Sequence, residues 1–245
     1  MTDFSHWDGF LITAASTLAN QLPIPGGIMS KGYYLKRRYD LSYTKFATST
    51  VATFFCYFSV NGLIGVVALL YWRIVQGGEV PSVLFAAFGG MTASILVFWL
   101  PLERIRIPEK LRQLTHQAVD GWTTIGRARG LLSQLTVLQA GLVVLLSLRY
   151  WIAFHMLSQD VTLSQTLLFA SASILTQLVS IAPGGLGVRE AIVAATATVL
   201  GFDAATSIVA VSLDRLVITI MIVLTGWISI VILGKQIADA PVKEL

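Results

Sequence analysis

The chain has 245 residues, of which 55% are hydrophobic and only 12% are charged, and its formal net charge is +4 at pH 7. Because an average soluble domain has about 25% charged residues, this composition excludes a water-exposed globule, and the apolar surface must face lipid. The sequence therefore predicts an all-α polytopic membrane protein whose residues 1–245 form a single transmembrane domain. The single cysteine, Cys56, lies in an apolar run, and a disulfide within the chain is excluded.

Six apolar stretches follow one another along the chain. They cover residues 10–22, 46–71, 82–100, 131–157, 163–181 and 204–233. Four of them have the length of about 20 residues that a transmembrane helix needs. The first and the fifth stretch instead end at a Pro-Gly-Gly, after which each resumes as a second short helical piece. The sequence thus predicts about four full spans and two broken helices.

Segment 101–130, between the second and third full spans, is polar and carries six Lys and Arg residues. Its apolar residues have the spacing of an interfacial amphipathic helix, so we expect it to lie on anionic headgroups rather than to bind nucleic acid. Thirteen Lys and Arg residues lie on this segment, before the first full span and after the last one, whereas connections 76–81, 158–162 and 201–203 have none. The positive-inside rule therefore predicts that both termini face the cytoplasm.

The two Pro-Gly-Gly sequences belong to an internal repeat. The first is Pro25-Gly26-Gly27 and the second is Pro183-Gly184-Gly185. Each follows an apolar stretch with an amide side chain, such as Gln21, and precedes a short helix, a capping residue and a long apolar helix. The predicted capping residues are Ser42 in the first copy and Asp203 in the second.

The repeat divides the chain into repeat one (9–73), connecting spans with the basic loop (81–157), and repeat two (163–233). Three full spans separate the two Pro-Gly-Gly sequences, so the copies enter the membrane from opposite faces. This predicts an inverted-topology repeat with two re-entrant broken helices, as in many transporters. The alternative is that each Pro-Gly-Gly is a turn at the membrane surface. The recurrence of the same flanks favours the re-entrant arrangement.

The string from Pro183 to Ala191, followed by Asp214-Arg215, resembles the lysylphosphatidylglycerol synthase transmembrane (flippase-like) family. The segment from Asn20 to Gly27 resembles the first repeat of that family, and the resemblance covers essentially the whole chain. It implies a protein of the inner, cytoplasmic membrane of a prokaryote that moves or handles lipids, such as aminoacylated phosphatidylglycerol, hopanoids or polyprenyl-linked sugars of glycan assembly. The implied partners are anionic or polyprenyl-linked membrane lipids and proteins of cell-envelope biosynthesis.

The chain departs from the family pattern in its first repeat. Met29-Ser30-Lys31-Gly32 stands where the family has Gly-Glu, and Thr53-Phe54 stands where the family has an acidic residue followed by arginine. Only the second repeat keeps its full charged set. The sequence contains no soluble aminoacyl-transferase domain, so we expect a short member of the family that does not transfer lysine.

Four charged residues of the second repeat form two adjacent pairs, Arg189-Glu190 and Asp214-Arg215. Adjacent helical residues do not face each other, and two arrangements stay open. In one, Arg189 pairs with Asp214 and Glu190 with Arg215, so that the broken helix is clasped to the last span. In the other, an arginine beside a helix N-terminus binds a phosphate. Arg149 is expected to extend its guanidinium to the outer interface.

We expect a membrane translocator of an anionic lipid or lipid-linked glycan, and not an enzyme. The alternatives are a non-transporting partner subunit of cell-envelope synthesis and a membrane-embedded enzyme for lipid phosphates. Neither a nucleotide-binding loop nor a metal-binding motif occurs, so no cofactor and no metal are expected. The candidate substrate-binding residues come from both repeats. They are Gln21, Pro25, Gly26, Gly27, Lys31, Pro183, Gly184, Gly185, Gly187, Arg189, Glu190, Asp214 and Arg215.

Overall fold

The computed structural model describes residues 5–21, 26–79, 82–94, 96, 128–178 and 187–238. Throughout these ranges the chain forms helices joined by short connections, and they contain no strand. The helices are α1 (His6–Ala19), α2 (Gly26–Tyr39), α3 (Tyr43–Val75), α4 (Ser82–Ala93), α5 (Arg129–Met156), α6 (Leu163–Ser173) with the 3-10 helix Ile174–Leu178, α7 (Val188–Val199) and α8 (Ala204–Ala238). The predicted all-α class is confirmed.

Helices α3, α5 and α8 are long and apolar enough to cross a membrane, with 33, 27 and 33 residues in their apolar parts. At 1.5 Å per residue even the shortest is about 40 Å long, which exceeds the hydrocarbon thickness of about 30 Å. Three of the four predicted full spans are therefore confirmed as helices of spanning length. The fourth, 82–100, is helical over α4, and its remainder lies mostly outside the described residues, as does the basic segment 101–127.

The beginning of α8 confirms one of the predicted caps. The carboxylate of Asp203 accepts hydrogen bonds from the backbone N–H and the hydroxyl of Thr206, at 2.7 and 2.8 Å. The same two bonds hold the pKa of the Asp203 carboxyl below its usual value. Ser42 directly precedes α3. Both expected capping positions thus adjoin the long apolar helices that the repeat predicts.

The helices divide into two compact units. One unit contains α3 to α7 and α8 up to Asp214. Its core is apolar and rich in aromatic residues: Phe154 of α5 stacks on Phe169 of α6 at 5.1 Å, and Phe202 meets both rings edge-on. The other unit contains α1, α2 and α8 from Arg215 onward. The predicted division into two repeats with connecting spans stays a prediction.

Helices α1 and α2 form an antiparallel hairpin. At one end the side-chain oxygen of Asn20 accepts a hydrogen bond from the backbone N–H of Gly27, at 3.0 Å. At the other end the hydroxyl of Tyr39 donates to Asp8 at 2.7 Å. Each helix has 14 residues, or about 21 Å, which is shorter than a full crossing. That length is compatible with a re-entrant hairpin, and the re-entrant geometry itself stays a prediction.

Substitution of Gly27 tests how closely these helices must approach. A Cβ atom at Gly27 would overlap the backbone carbonyl of Ser16 and the side-chain oxygen of Asn20. We expect Gly27→Ala to lower the free energy of unfolding by about 1–3 kcal/mol, the usual effect of overpacking. The matched control is Gly141→Ala in α5, where a Cβ meets no atom within 4 Å. Unfolding by SDS titration in mixed micelles measures both, and equal midpoints would contradict the close approach.

Candidate functional site

An ion pair joins two of the spanning helices. The Arg149 guanidinium on α5 contacts both carboxylate oxygens of Asp214 on α8, with Nε–Oδ1 and Nη2–Oδ2 distances of 2.8 Å each. The side chain of Asp214 is only 4% exposed, against 36% for that of Arg149. Asp214 lies about 15 Å along α8 from its first residue, so the pair is far from either end of the span. Two parallel charge-assisted bonds fix its geometry.

This ion pair corrects one expectation and bears on one of the two open arrangements. The expectation that Arg149 extends its guanidinium to the outer interface is wrong, because that guanidinium is bound to the carboxylate of Asp214. Of the two arrangements left open, the clasp does not form between Arg189 and Asp214, since Asp214 is ion-paired with Arg149. Asp214 still interacts electrostatically with Arg189, so the carboxylate belongs to the surroundings of both guanidinium groups.

Arg189, in the first turn of α7, is held by a tyrosine. Its Nε donates a hydrogen bond of 2.8 Å to the hydroxyl of Tyr150, which is fully buried on α5. The guanidinium carbon lies 5.5 Å from the centroid of the same ring, within cation–π range. Both contacts hold the guanidinium of α7 against the Tyr150 ring of α5.

The hydrogen bond between Arg189 and Tyr150 has a defined direction. Arginine can only donate, so the Tyr150 oxygen accepts from Arg189. This bond fixes the Nε side of the guanidinium. Within the described residues, no carboxylate lies at ion-pair distance from Arg189.

The N-terminus of α7 depends on Gly187 and Glu190. Gly187 has a φ of +81°, a left-handed conformation that costs other residues about 1–2 kcal/mol. Its backbone N–H donates to the carboxylate of Glu190 at 2.9 Å. The predicted anion position at this helix end is therefore occupied, at least at Gly187, by a carboxylate of the chain itself. Glu190 and Arg215 each have a further interaction, and their mutual ion pair stays a prediction.

The other candidate residues are placed as follows. Gln21 lies two residues after the end of α1, and its backbone N–H donates to the carbonyl of Leu18. Gly26 and Gly27 are the first residues of α2, and Lys31 is half-buried one turn later. These residues belong to the unit formed by α1, α2 and the later part of α8, whereas Arg189, Glu190 and Asp214 belong to the other unit. A site shared by both repeats stays a prediction. The remaining candidates lie outside the described residues: they are Pro25, Pro183, Gly184 and Gly185.

Sequence reasoning missed Tyr150 and misassigned Arg149. The available signal was Asp214, because a carboxylate inside a spanning helix requires a cation. Apart from Arg215, which is adjacent to Asp214, Arg149 is the only arginine in the six apolar stretches of the sequence. Tyr150 gave no comparable signal, since a buried tyrosine in an apolar helix is common and its partner is set by packing.

Comparisons with known proteins give one match. The family model of the lysylphosphatidylglycerol synthase TM region matches residues 2–226. This range includes both Pro-Gly-Gly sequences and the arginine, tyrosine and carboxylate side chains described above. No curated protein and no solved structure matches the chain.

Proposed function

Because the chain belongs to the lysylphosphatidylglycerol synthase transmembrane family, we propose that it moves an anionic lipid or a lipid-linked glycan from one leaflet to the other. The family comprises membrane proteins of lipid or cell-envelope processes, and the three long apolar helices agree with that class. The proposal is that the lipid is moved without covalent change. It includes a location in the inner membrane of a prokaryote, with both termini in the cytoplasm.

The observation that carries this proposal is the state of Arg189. Arg149 and Asp214 neutralise each other, whereas Arg189 is oriented through Nε by the neutral Tyr150 hydroxyl. Its remaining N–H groups make no hydrogen bond to the described part of the chain. A partly desolvated guanidinium with donors to spare suits a phosphate, whose oxygens it binds as a planar fork. An anionic headgroup supplies such a phosphate.

The lengths of the short helices support an inverted repeat. Helices α1 and α2 have 14 residues each, and α6 and α7 have 11 and 12. Each is shorter than the hydrocarbon core of about 30 Å. Short helices of this kind, in two copies, are what carriers with broken helices use to expose a headgroup site to each face in turn.

A non-transporting partner subunit is the second candidate. It is favoured by the first repeat, where Thr53 occupies the expected position of an acidic residue and donates its hydroxyl to the carbonyl of Ser49 in its own helix. This copy therefore has no charged pair at the position that corresponds to Asp214-Arg215. A chain that has this charged pair in only one of its two repeats is compatible with a subunit that holds lipid for another protein.

Reconstitution distinguishes these possibilities. Purified protein in liposomes is supplied with fluorescent phosphatidylglycerol or a fluorescent polyprenyl-phosphate sugar, and dithionite reports the fraction of probe that reaches the inner leaflet. We expect protein-dependent movement of at least one probe, with the lipid recovered unmodified by mass spectrometry. A modified product would indicate an enzyme. Neither movement nor modification, in protein shown to be folded, would favour the partner subunit.

A further inference from the structure

Three groups that attract an anion lie close to the first turn of α7. They are the guanidinium groups of Arg189 and Arg149 and the N-terminus of α7 at Gly187. Gly187 precedes Arg189 by two residues, and Arg149 is adjacent in sequence to Tyr150, whose hydroxyl binds Arg189. All of these residues belong to one compact unit. The number of phosphates that this region can bind depends on which of the three groups are open.

Two of these groups already bind a carboxylate of the chain itself. Both oxygens of Asp214 accept hydrogen bonds from Arg149, at 2.8 Å each. The carboxylate of Glu190 accepts a hydrogen bond of 2.9 Å from the backbone N–H of Gly187. Asp214 and Glu190 are both buried, so salt screens neither interaction strongly. Both positions are thus occupied by an anion before any lipid binds.

The guanidinium of Arg189 differs from the other two groups. Among the described residues no carboxylate lies at ion-pair distance from it, and its Nε is bound to the neutral hydroxyl of Tyr150. The two terminal nitrogens of a guanidinium form a planar fork that matches two oxygens of one phosphate. This region therefore presents one open fork, which suits a single phosphate.

We propose that the headgroup bound at Arg189 is a phosphodiester with a single negative charge, and that diphosphate-linked lipids are rejected. This inference rests on the proposed function and names the substrate class of its phosphate site. Glycerophospholipids and prenyl-phosphate sugars both carry such a phosphodiester, whereas a prenyl-diphosphate sugar carries two neighbouring charged phosphates. The second phosphate either stays without a counter-charge in a site of low dielectric or displaces Asp214 or Glu190 from its partner. Both alternatives are costly.

Two lipids that differ in one phosphate test the inference: a farnesyl-phosphate sugar and the farnesyl-diphosphate form of the same sugar. Native mass spectrometry measures the binding of each to the full-length protein in detergent micelles, and the liposome assay measures the movement of fluorescent versions. We expect the monophosphate to bind about 10- to 100-fold more tightly, the usual effect of leaving a charged group unpaired. Unlabelled phosphatidylglycerol should compete with it, because the two lipids share the phosphodiester.

Two variants remove a carboxylate charge and keep an oxygen acceptor. In Glu190→Gln the amide oxygen can still accept from the N–H of Gly187. In Asp214→Asn it can still accept one bond from Arg149. We expect each variant to narrow the preference for the monophosphate about fivefold, because the second phosphate then finds an attractive group.

Asp203→Asn is the matched control. It removes a carboxylate that caps α8 in the same compact unit, and asparagine caps a helix as well as aspartate does. The preference should stay unchanged.

The outcomes separate this inference from the proposed transport. A preference for the monophosphate without movement of either lipid confirms the substrate class and contradicts transport. Equal binding of the two lipids overturns the substrate class, even where both lipids move. Absence of binding by both lipids overturns the inference and the phosphate site together. A preference that is unchanged in every charge variant that folds shows that Asp214 and Glu190 do not set it, and this also overturns the inference.

Discussion

Replacing Asp214 by alanine is expected to lower the free energy of unfolding by about 3–5 kcal/mol, the usual effect of removing one partner of a buried ion pair. The carboxylate is almost fully buried and binds the guanidinium of Arg149 through both oxygens. Without it, a permanently charged group stays inside a spanning helix and has no carboxylate partner there. SDS titration in mixed micelles, followed by circular dichroism, measures the loss.

Removing both charges should reverse most of this effect. We expect Arg149→Met combined with Asp214→Leu to recover most of the stability, because apolar side chains of similar volume replace a buried pair at little cost. The two single changes and the double change form a cycle whose non-additivity reports the pair itself. Lys36→Met is the control, since it breaks the exposed ion pair of Lys36 with Asp40 and should leave the midpoint almost unchanged. Additive losses at Arg149 and Asp214 would show that the two side chains do not stabilise each other.

Replacing Arg189 by alanine is expected to slow lipid movement about 10- to 100-fold, the equivalent of one or two lost hydrogen bonds between charged groups. Stability should change little by comparison, because Arg189 neutralises no carboxylate among the described residues. Arg189→Lys should give an intermediate rate, because it retains the charge and loses the planar fork. The liposome assay and the SDS titration are carried out on the same preparations.

Two further variants are needed to interpret the effect of Arg189→Ala on lipid movement. Arg73→Ala removes an exposed arginine at the end of α3 and should transport at the wild-type rate. Tyr150→Phe removes the hydroxyl that orients Arg189, so the lipid concentration at half-maximal rate should rise more than the maximal rate falls. If Arg189→Ala instead unfolds the protein as strongly as Asp214→Ala does, Arg189 is a structural clasp and the proposed phosphate site is wrong.

The sequence predicts the positions of the helices better than it predicts which side chains of different helices pair with each other. Apolar runs of spanning length define α3, α5 and α8, and a capping aspartate defines the start of α8, because both signals are local. The pairing of Arg149 with Asp214 joins positions 65 residues apart. It depends on how each helix is rotated about its own axis, and a rotation of about 100° per residue decides which neighbour a side chain meets.

The adjacent residues Arg149 and Tyr150 illustrate this dependence. They leave α5 in directions about 100° apart, so that one reaches α8 and the other reaches α7. A sequence pattern reports only that an arginine and a tyrosine lie in an apolar helix. For the same reason the two adjacent charged pairs of the second repeat suggested a reciprocal clasp, although the cation that Asp214 binds comes from a third helix.

The ion pair of Arg149 with Asp214 also has a consequence for Arg189. Because both oxygens of Asp214 are bound by Arg149, its negative charge does not compensate the positive charge of Arg189. At the phosphate site proposed for Arg189, loss of the Arg149 guanidinium would leave the Asp214 carboxylate without its ion-pair partner and able to compete with a lipid phosphate. A change at Arg149 would then weaken both the contact of α5 with α8 and the binding of an anionic headgroup, although Arg149 itself touches no ligand in this proposal.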